Sequence, residues 1–180
     1  MVLLTHMRRW RFVGRVFGVT TLLLGCLLFG RIVHAEPVIQ GYISDASLTK
    51  GQIVELVDKN SNKVGLASAD KLEKMHGVVV DANDAPVTLT ETGQKIFVAT
   101  SGRYSVLVSS ENGQIKTDDY ISMSGAPGIG AKANEKQGYG FGKALESFNG
   151  KTNVLTTTSS GLAITRIIVD VRVAKNPNQA

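Results

Sequence analysis

The stretch SLTKGQIVEL, Ser47–Leu56, is echoed by QIKTDDYISM, Gln114–Met123. Each copy has an early apolar residue, a polar run with a lysine, a turn, and then an outgoing strand. The echo continues in order. KVGLA, Lys63–Ala67, stands against GAKAN, Gly130–Asn134, and GVVVDA, Gly77–Ala82, stands against GKALES, Gly142–Ser147. The offset is 67 residues at the first segment and 65 at the last, so only two residues are lost along the way. Identities are few, and the order of features carries the duplication. The expectation is two related hairpin units about a pseudo-twofold axis, bridged by central strands within 87–108.

Outward from this pair, the apolar period is mostly two, the signature of half-buried strands. Gln52–Val57, Gly77–Val80, Val87–Leu89, Ile96–Val98 and Tyr104–Val108 read as short strands, and Ile115, Tyr120-Ile121 and Met123 add more. Turn residues separate them at 58–62, 83–86, 101–102, 112–113 and 125–128. Asn112-Gly113 is a hairpin signal, because both residue types tolerate positive φ. Ser68–Met75 reads as one helical turn capped by Ser68. Near the end, ITRIIVDVRV, Ile164–Val173, alternates cleanly. Ile167, Val169, Val171 and Val173 share one face, and Arg166, Ile168, Asp170 and Arg172 share the other. Such a strand returns to a sheet or offers an edge. Asn176–Ala180 reads as a frayed tail. The fold class is mainly β: a small barrel or sandwich of short strands with a hairpin repeat, preceded by an N-terminal hydrophobic helix.

The charge pattern sets that N-terminal part aside. The chain has 180 residues and a formal net charge of +5. Five of its 20 Lys and Arg (Arg8, Arg9, Arg11, Arg15, Arg31) lie in residues 1–35, which hold no Asp or Glu. The other 15 balance the 15 acidic residues of 36–180. Arg8–Arg15 is a basic flank, Val16–Gly30 is uncharged, and Val33-His34-Ala35 is a small-residue cleavage site. Together they describe a secretory signal. An uncleaved anchor is the alternative, and Leu23-Leu24-Gly25-Cys26 loosely matches a lipoprotein box. In each case the basic flank stays cytoplasmic and the body is exported. The expected organisation is a signal or anchor over 1–35, a β-rich domain over 36–148, a polar linker or loop over 149–163, and a terminal strand and tail over 164–180. Localisation is extracytoplasmic, either membrane-tethered or secreted after cleavage following Ala35. Cys26 is the only cysteine, which excludes a disulfide framework and Cys-ligated zinc.

Gly125–Lys132 and Gln137–Ala144 resemble phosphate loops but lack the Gly-Lys-Ser/Thr step and a βαβ context. His76 is the only histidine of the body. Asp81/Asp84 and Asp118-Asp119 fall in turns, where Asx side chains bond locally. Ser101, Ser105, Ser109 and Ser110 cluster on the central strands, and a Ser–His pair would need the fold to bring His76 close. Tyr104, Tyr120, Tyr139 and Phe141 would make a carbohydrate-binding face if several rings shared one exposed surface. No residue is assigned as catalytic, cofactor-binding or metal-ligating, and no cofactor is implied. A balanced body argues against nucleic acid.

Val106–Ala133, followed by GKALE at Gly142–Glu146, resembles a β module of uncharacterised exported bacterial proteins. It is similar also to C-terminal β domains of phage tail-fibre and neck-appendage proteins, some of which are self-cleaving chaperone domains. The likeness covers residues 76–147 and rests on turn glycines and strand apolars. The chain departs from it at Thr117-Asp118, where that signature has Gly-Asp. The resemblance implies the β module and no catalytic residue. The expected function is a non-enzymatic exported cell-envelope or surface protein, a binding or assembly module. Its expected partners are the membrane, through the N-terminal segment, and an envelope protein or further copies of itself. The alternative is a self-cleaving or weakly hydrolytic serine-dependent module.

Overall fold

A computed structural model describes residues 38–58 and 62–179. The export signal and hydrophobic helix expected over 1–35 lie outside those residues. Among the described residues, no helix is long and apolar enough to cross a membrane.

The described residues form twelve strands, most of them short. The first six are β1 (Val38–Tyr42), β2 (Ile53–Leu56), β3 (Val64–Leu66), β4 (Met75–Val80), β5 (Val87–Leu89) and β6 (Ile96–Ala99). The second six are β7 (Ser101–Ser109), β8 (Tyr120–Met123), β9 (Gly130–Lys132), β10 (Tyr139–Ala144), β11 (Thr156–Thr157) and β12 (Ala163–Lys175). The turn expected at Ser68 is a 3₁₀ segment, Ala69–Lys74, and the Ser68 side chain accepts from the Asp70 amide at its start.

The two sets form two sheets of the same design. The first runs β3-β2-β4-β6-β1 with β5 outside β1, and the second runs β9-β8-β10-β12-β7 with β11 on β12. In the second, a parallel contact of Val108 with Gly130 closes five strands into a barrel. In the first, one parallel bridge from Ile43 to Lys63 makes the matching contact. A closed sheet leaves no edge among its member strands.

The repeat is therefore larger than a pair of hairpins. It takes in β1 with β7 and β6 with β12, which the sequence comparison did not reach. Strands 87–108 do not bridge the units. They are divided at Thr100, where β6 ends the first unit and β7 opens the second. Asn112-Gly113 does turn the chain, with Gly113 at φ 89 and its amide on the Ser110 carbonyl. It joins β7 to β8, which do not pair, so it is no hairpin.

Backbone hydrogen bonds repeat as well. Gly51 N–H donates to Val79 O and Val79 N–H to Gln52 O; Asp118 N–H donates to Ala144 O and Ala144 N–H to Asp119 O. The turn before each outgoing strand is tied alike. Thr49 N–H donates to Gln52 Oε1 at 2.8 Å, and Lys116 N–H donates to Asp119 Oδ2 at 2.8 Å. Gly77 and Gly142 recur because each faces a carbonyl of the next strand. A Cβ would lie 2.4 Å from Ala99 O at the first and 2.4 Å from Asp170 O at the second.

Strand alternation divides the core. Tyr42, Val54, Val64, Val79 and Val98 fill the first unit. The residues between them point outward yet are buried. Ile39, Ala99, Val78 and Ile53 are register partners across β1, β6, β4 and β2, and none is exposed. They join one apolar cluster with Val106, Val108, Ile121, Phe141, Ile167, Val169 and Val171 of the second unit. The turn at 125–129 locks the joint, since Ile53 N–H donates to Gly128 O and Gly128 N–H to Ala67 O. Gly130 leaves room for Ile53, whose Cδ1 would stand 3.3 Å from a Cβ there.

Candidate functional site

A polar cleft of about 760 Å³ lies beside the β9–β10 loop, lined by Asn112, Lys132, Asn134, Glu135, Lys136 and Asn178. Its walls come from three places in the chain. Lys132 ends β9, and its ammonium pairs with Asp119 at 2.8 Å. Asn112 reaches across from the β7–β8 turn, where its Nδ2 donates to Lys132 O at 2.7 Å. The third wall is the C-terminal tail, held by Asn176.

Asn176 is 4% exposed. Its backbone N–H donates to Gly138 O, and its Nδ2 donates to Asn134 O at 2.9 Å and to Gln137 O at 2.8 Å. Its Oδ1 accepts from Asn178 N–H. Gln137 completes the loop, donating to Met123 O at 2.7 Å and accepting from Asn134 N–H at 3.0 Å. A buried side-chain amide costs little when its donors and acceptor are used. The tail at 176–179 is thus a wall of the cleft and not a frayed end. Its polar, Pro-containing sequence looks disordered, and only the carbonyls waiting in the β9–β10 loop reveal the latch.

Asp119 sits at the edge of this region. Burial pushes its carboxyl up, but hydrogen bonds from Lys132 and from the Lys116 backbone, with the charges of both lysines, bring it below the usual carboxylate range. Asp84 behaves alike in the first unit, raised by burial but drawn lower by Lys50 at 2.8 Å and by the Asp81 amide. Both acidic pairs therefore serve turns and ion pairs. No group of three His, Cys, Asp or Glu able to hold a metal occurs among the described residues.

His76 lies on β4 and bonds to Tyr42, with 2.6 Å between Nε2 and the phenol oxygen and the rings edge to face. Burial lowers the His76 pKa and raises that of Tyr42, so both are neutral near pH 7. His76 borders a pocket of about 300 Å³ with Leu56, Val57, Asp58, Glu73, Lys74 and Met75, and no serine lines it. Ser109 is fully buried and its hydroxyl accepts from Glu111 N–H, while Ser101 is exposed. The fold therefore couples His76 to a tyrosine of its own unit.

The four aromatic rings do not share an exposed face. Phe141 is fully buried and Tyr104 is 6% exposed, both inside the joint core, whereas Tyr120 and Tyr139 are half-buried. The Tyr104 hydroxyl has no hydrogen-bond partner. Of the two glycine-rich stretches, Gly125–Lys132 docks the units together and Gln137–Ala144 contains β10, so neither is a loop around a phosphate.

No family model matches the chain, and no curated protein matches it. The cleft offers amides, lysines and a carboxylate on an open surface, suited to polar contacts with a ligand.

Proposed function

We propose that the chain is an exported cell-envelope or surface protein whose β body is a binding or assembly module. The cleft beside the β9–β10 loop carries this reading. Its lining comes from the β7–β8 turn, the end of β9 and the C-terminal tail, and the side chains of Asn112, Asn134, Gln137 and Asn176 around it bond to backbone. Such preorganisation lowers the entropy cost of binding. The export half of the proposal rests on the basic flank, the uncharged run and the small-residue site before Glu36.

Fractionation of producing cells, with intact mass of the recovered chain, is the test. The expected result is a chain in the envelope or medium whose mass corresponds to 1–180 or 36–180. Recovery in the cytosol would overturn the export reading. An internal cut abolished by replacing Ser101, Ser105, Ser109 and Ser110 with Ala would instead establish the self-cleaving alternative.

A further inference from the structure

The duplication identifies a second surface. In the first unit the outward row Ile39, Ala99, Val78, Ile53 is buried against the second unit. Superposing the hydrogen-bond register places Arg103, Asp170, Lys143 and Tyr120 in the corresponding row of the second unit. Arg103 pairs with Asp170 across β7 and β12, Asp170 with Lys143 across β12 and β10, and Lys143 with Tyr120 across β10 and β8. The geometry of the row is kept and its chemistry is reversed. Arg103, Asp170 and Lys143 are exposed, and Tyr120 is half-buried.

Two more cations extend the row. Arg172 follows Asp170 on the same side of β12, and Lys175 lies beyond it. Both border a groove of about 310 Å³ with Tyr120, Lys143, Asp170 and Pro177. The face therefore carries Arg103, Lys143, Arg172 and Lys175 against Asp170, although residues 36–180 as a whole are balanced. Among the described residues these four cations form no ion pair. Lys143 instead stands 5.0 Å from the Tyr120 ring centroid. Adjacent strands are about 4.8 Å apart, so Arg103 of β7 and Lys143 of β10 rise from backbones about 10 Å apart with a strand between them.

We propose that this outer face of β7, β12, β10 and β8 binds an acidic polysaccharide. Charge complementarity selects an anionic partner, and four cations on one face suit a chain of repeated carboxylates. Tyr120 borders the groove and gives it an apolar wall beside the Lys143 ammonium that lies over its ring. The choice of a polysaccharide over nucleic acid rests on the exported reading above; the anion-binding face does not.

The test uses the full-length chain with polygalacturonate as probe and uncharged dextran as control, at low and physiological salt. Polygalacturonate is expected to bind and to weaken as salt rises, and dextran to stay unbound. Lys143→Gln with Arg172→Gln should weaken binding about tenfold or more, because hydrogen bonds to charged groups are the strong kind. Lys151→Gln, away from the face, should bind as the parent does. Both lysines and the arginine are exposed, and an unchanged thermal transition shows that the variants fold. Parent binding that ignores salt, or an undiminished double variant, overturns the proposal. Face-dependent binding to phosphatidylglycerol vesicles or duplex DNA, with none to polygalacturonate, overturns the polysaccharide assignment. Failure of export in the fractionation experiment is a separate outcome, since this assay does not depend on location.

Discussion

At the scale of residues, the two units show what one position does with different side chains. His76 of β4 corresponds to Phe141 of β10 by the register that aligns Gly77 with Gly142. Phe141 needs no partner, whereas His76 requires the Tyr42 hydroxyl. Burial holds the folded-state pKa of His76 below its ordinary value of 6.5. The unfolded chain therefore takes up the proton first, and stability falls as pH drops below about 6.5 towards the folded value. Urea unfolding at pH 7.5 and 5.5 should show this loss, and His76→Phe should remove it. The depressed carboxyls of Asp84 and Asp119 act in a lower window. Their stabilisation is present above the unfolded value of 3.8 and is lost as pH falls through the folded values. His76 was legible in the sequence as a lone histidine. Its partner was not, because Tyr42 is 34 residues away and β1 was not recognised as a strand.

Among the elements, the turn before each outgoing strand is the most instructive. Its sharpest residue has φ 90 at Gly51 and φ 69 at Asp118. Glycine adopts that conformation freely, while an L side chain meets its own carbonyl. Asp118 is exposed and sits where the first unit uses glycine. Asp118→Gly should therefore stabilise the chain by about 0.5–1 kcal/mol, the relief being partly offset by the freer unfolded backbone. A shift of the urea midpoint at constant slope would measure it, and a lowered midpoint would refute it. The strands that alternate over four or more residues, such as β2 and β12, were evident from the sequence. β3 and β9 carry too little apolar alternation to read as strands, and the glycines of β10 make Gln137–Ala144 resemble a phosphate loop. Gly142 marks close approach to the Asp170 carbonyl of β12, which no local pattern announces.

In the whole molecule, the decisive feature is the shared core. The outward row of the first unit and the interior of the second make one apolar cluster, so the two units should unfold in a single transition. Val78→Lys would give the first unit the residue that the second has at Lys143. Burying that charge in the joint should cost about 3 kcal/mol or more and lower or split the thermal transition. The reverse exchange, Lys143→Val with Tyr120→Ile, should leave the transition nearly unchanged but expose an apolar row. Sedimentation should then show self-association rising with concentration. A parent-like sedimentation profile would mean that the row is not the equivalent of the buried one.

The sequence by itself determined the β class, the existence and approximate offset of a duplication, the balanced charge of residues 36–180 and the inward face of β12. These follow from period-two alternation and composition, which are local or additive properties. Only the tertiary structure decided that the repeat is a five-stranded unit, that the tail is latched by Asn176, and that one copy's outer face is buried while the other's is cationic. Strand pairing brings residues far apart in sequence into register. Arg103, Lys143, Arg172 and Lys175 are scattered among compensating acids along the chain and become a single charged surface only when β7, β12 and β10 lie side by side.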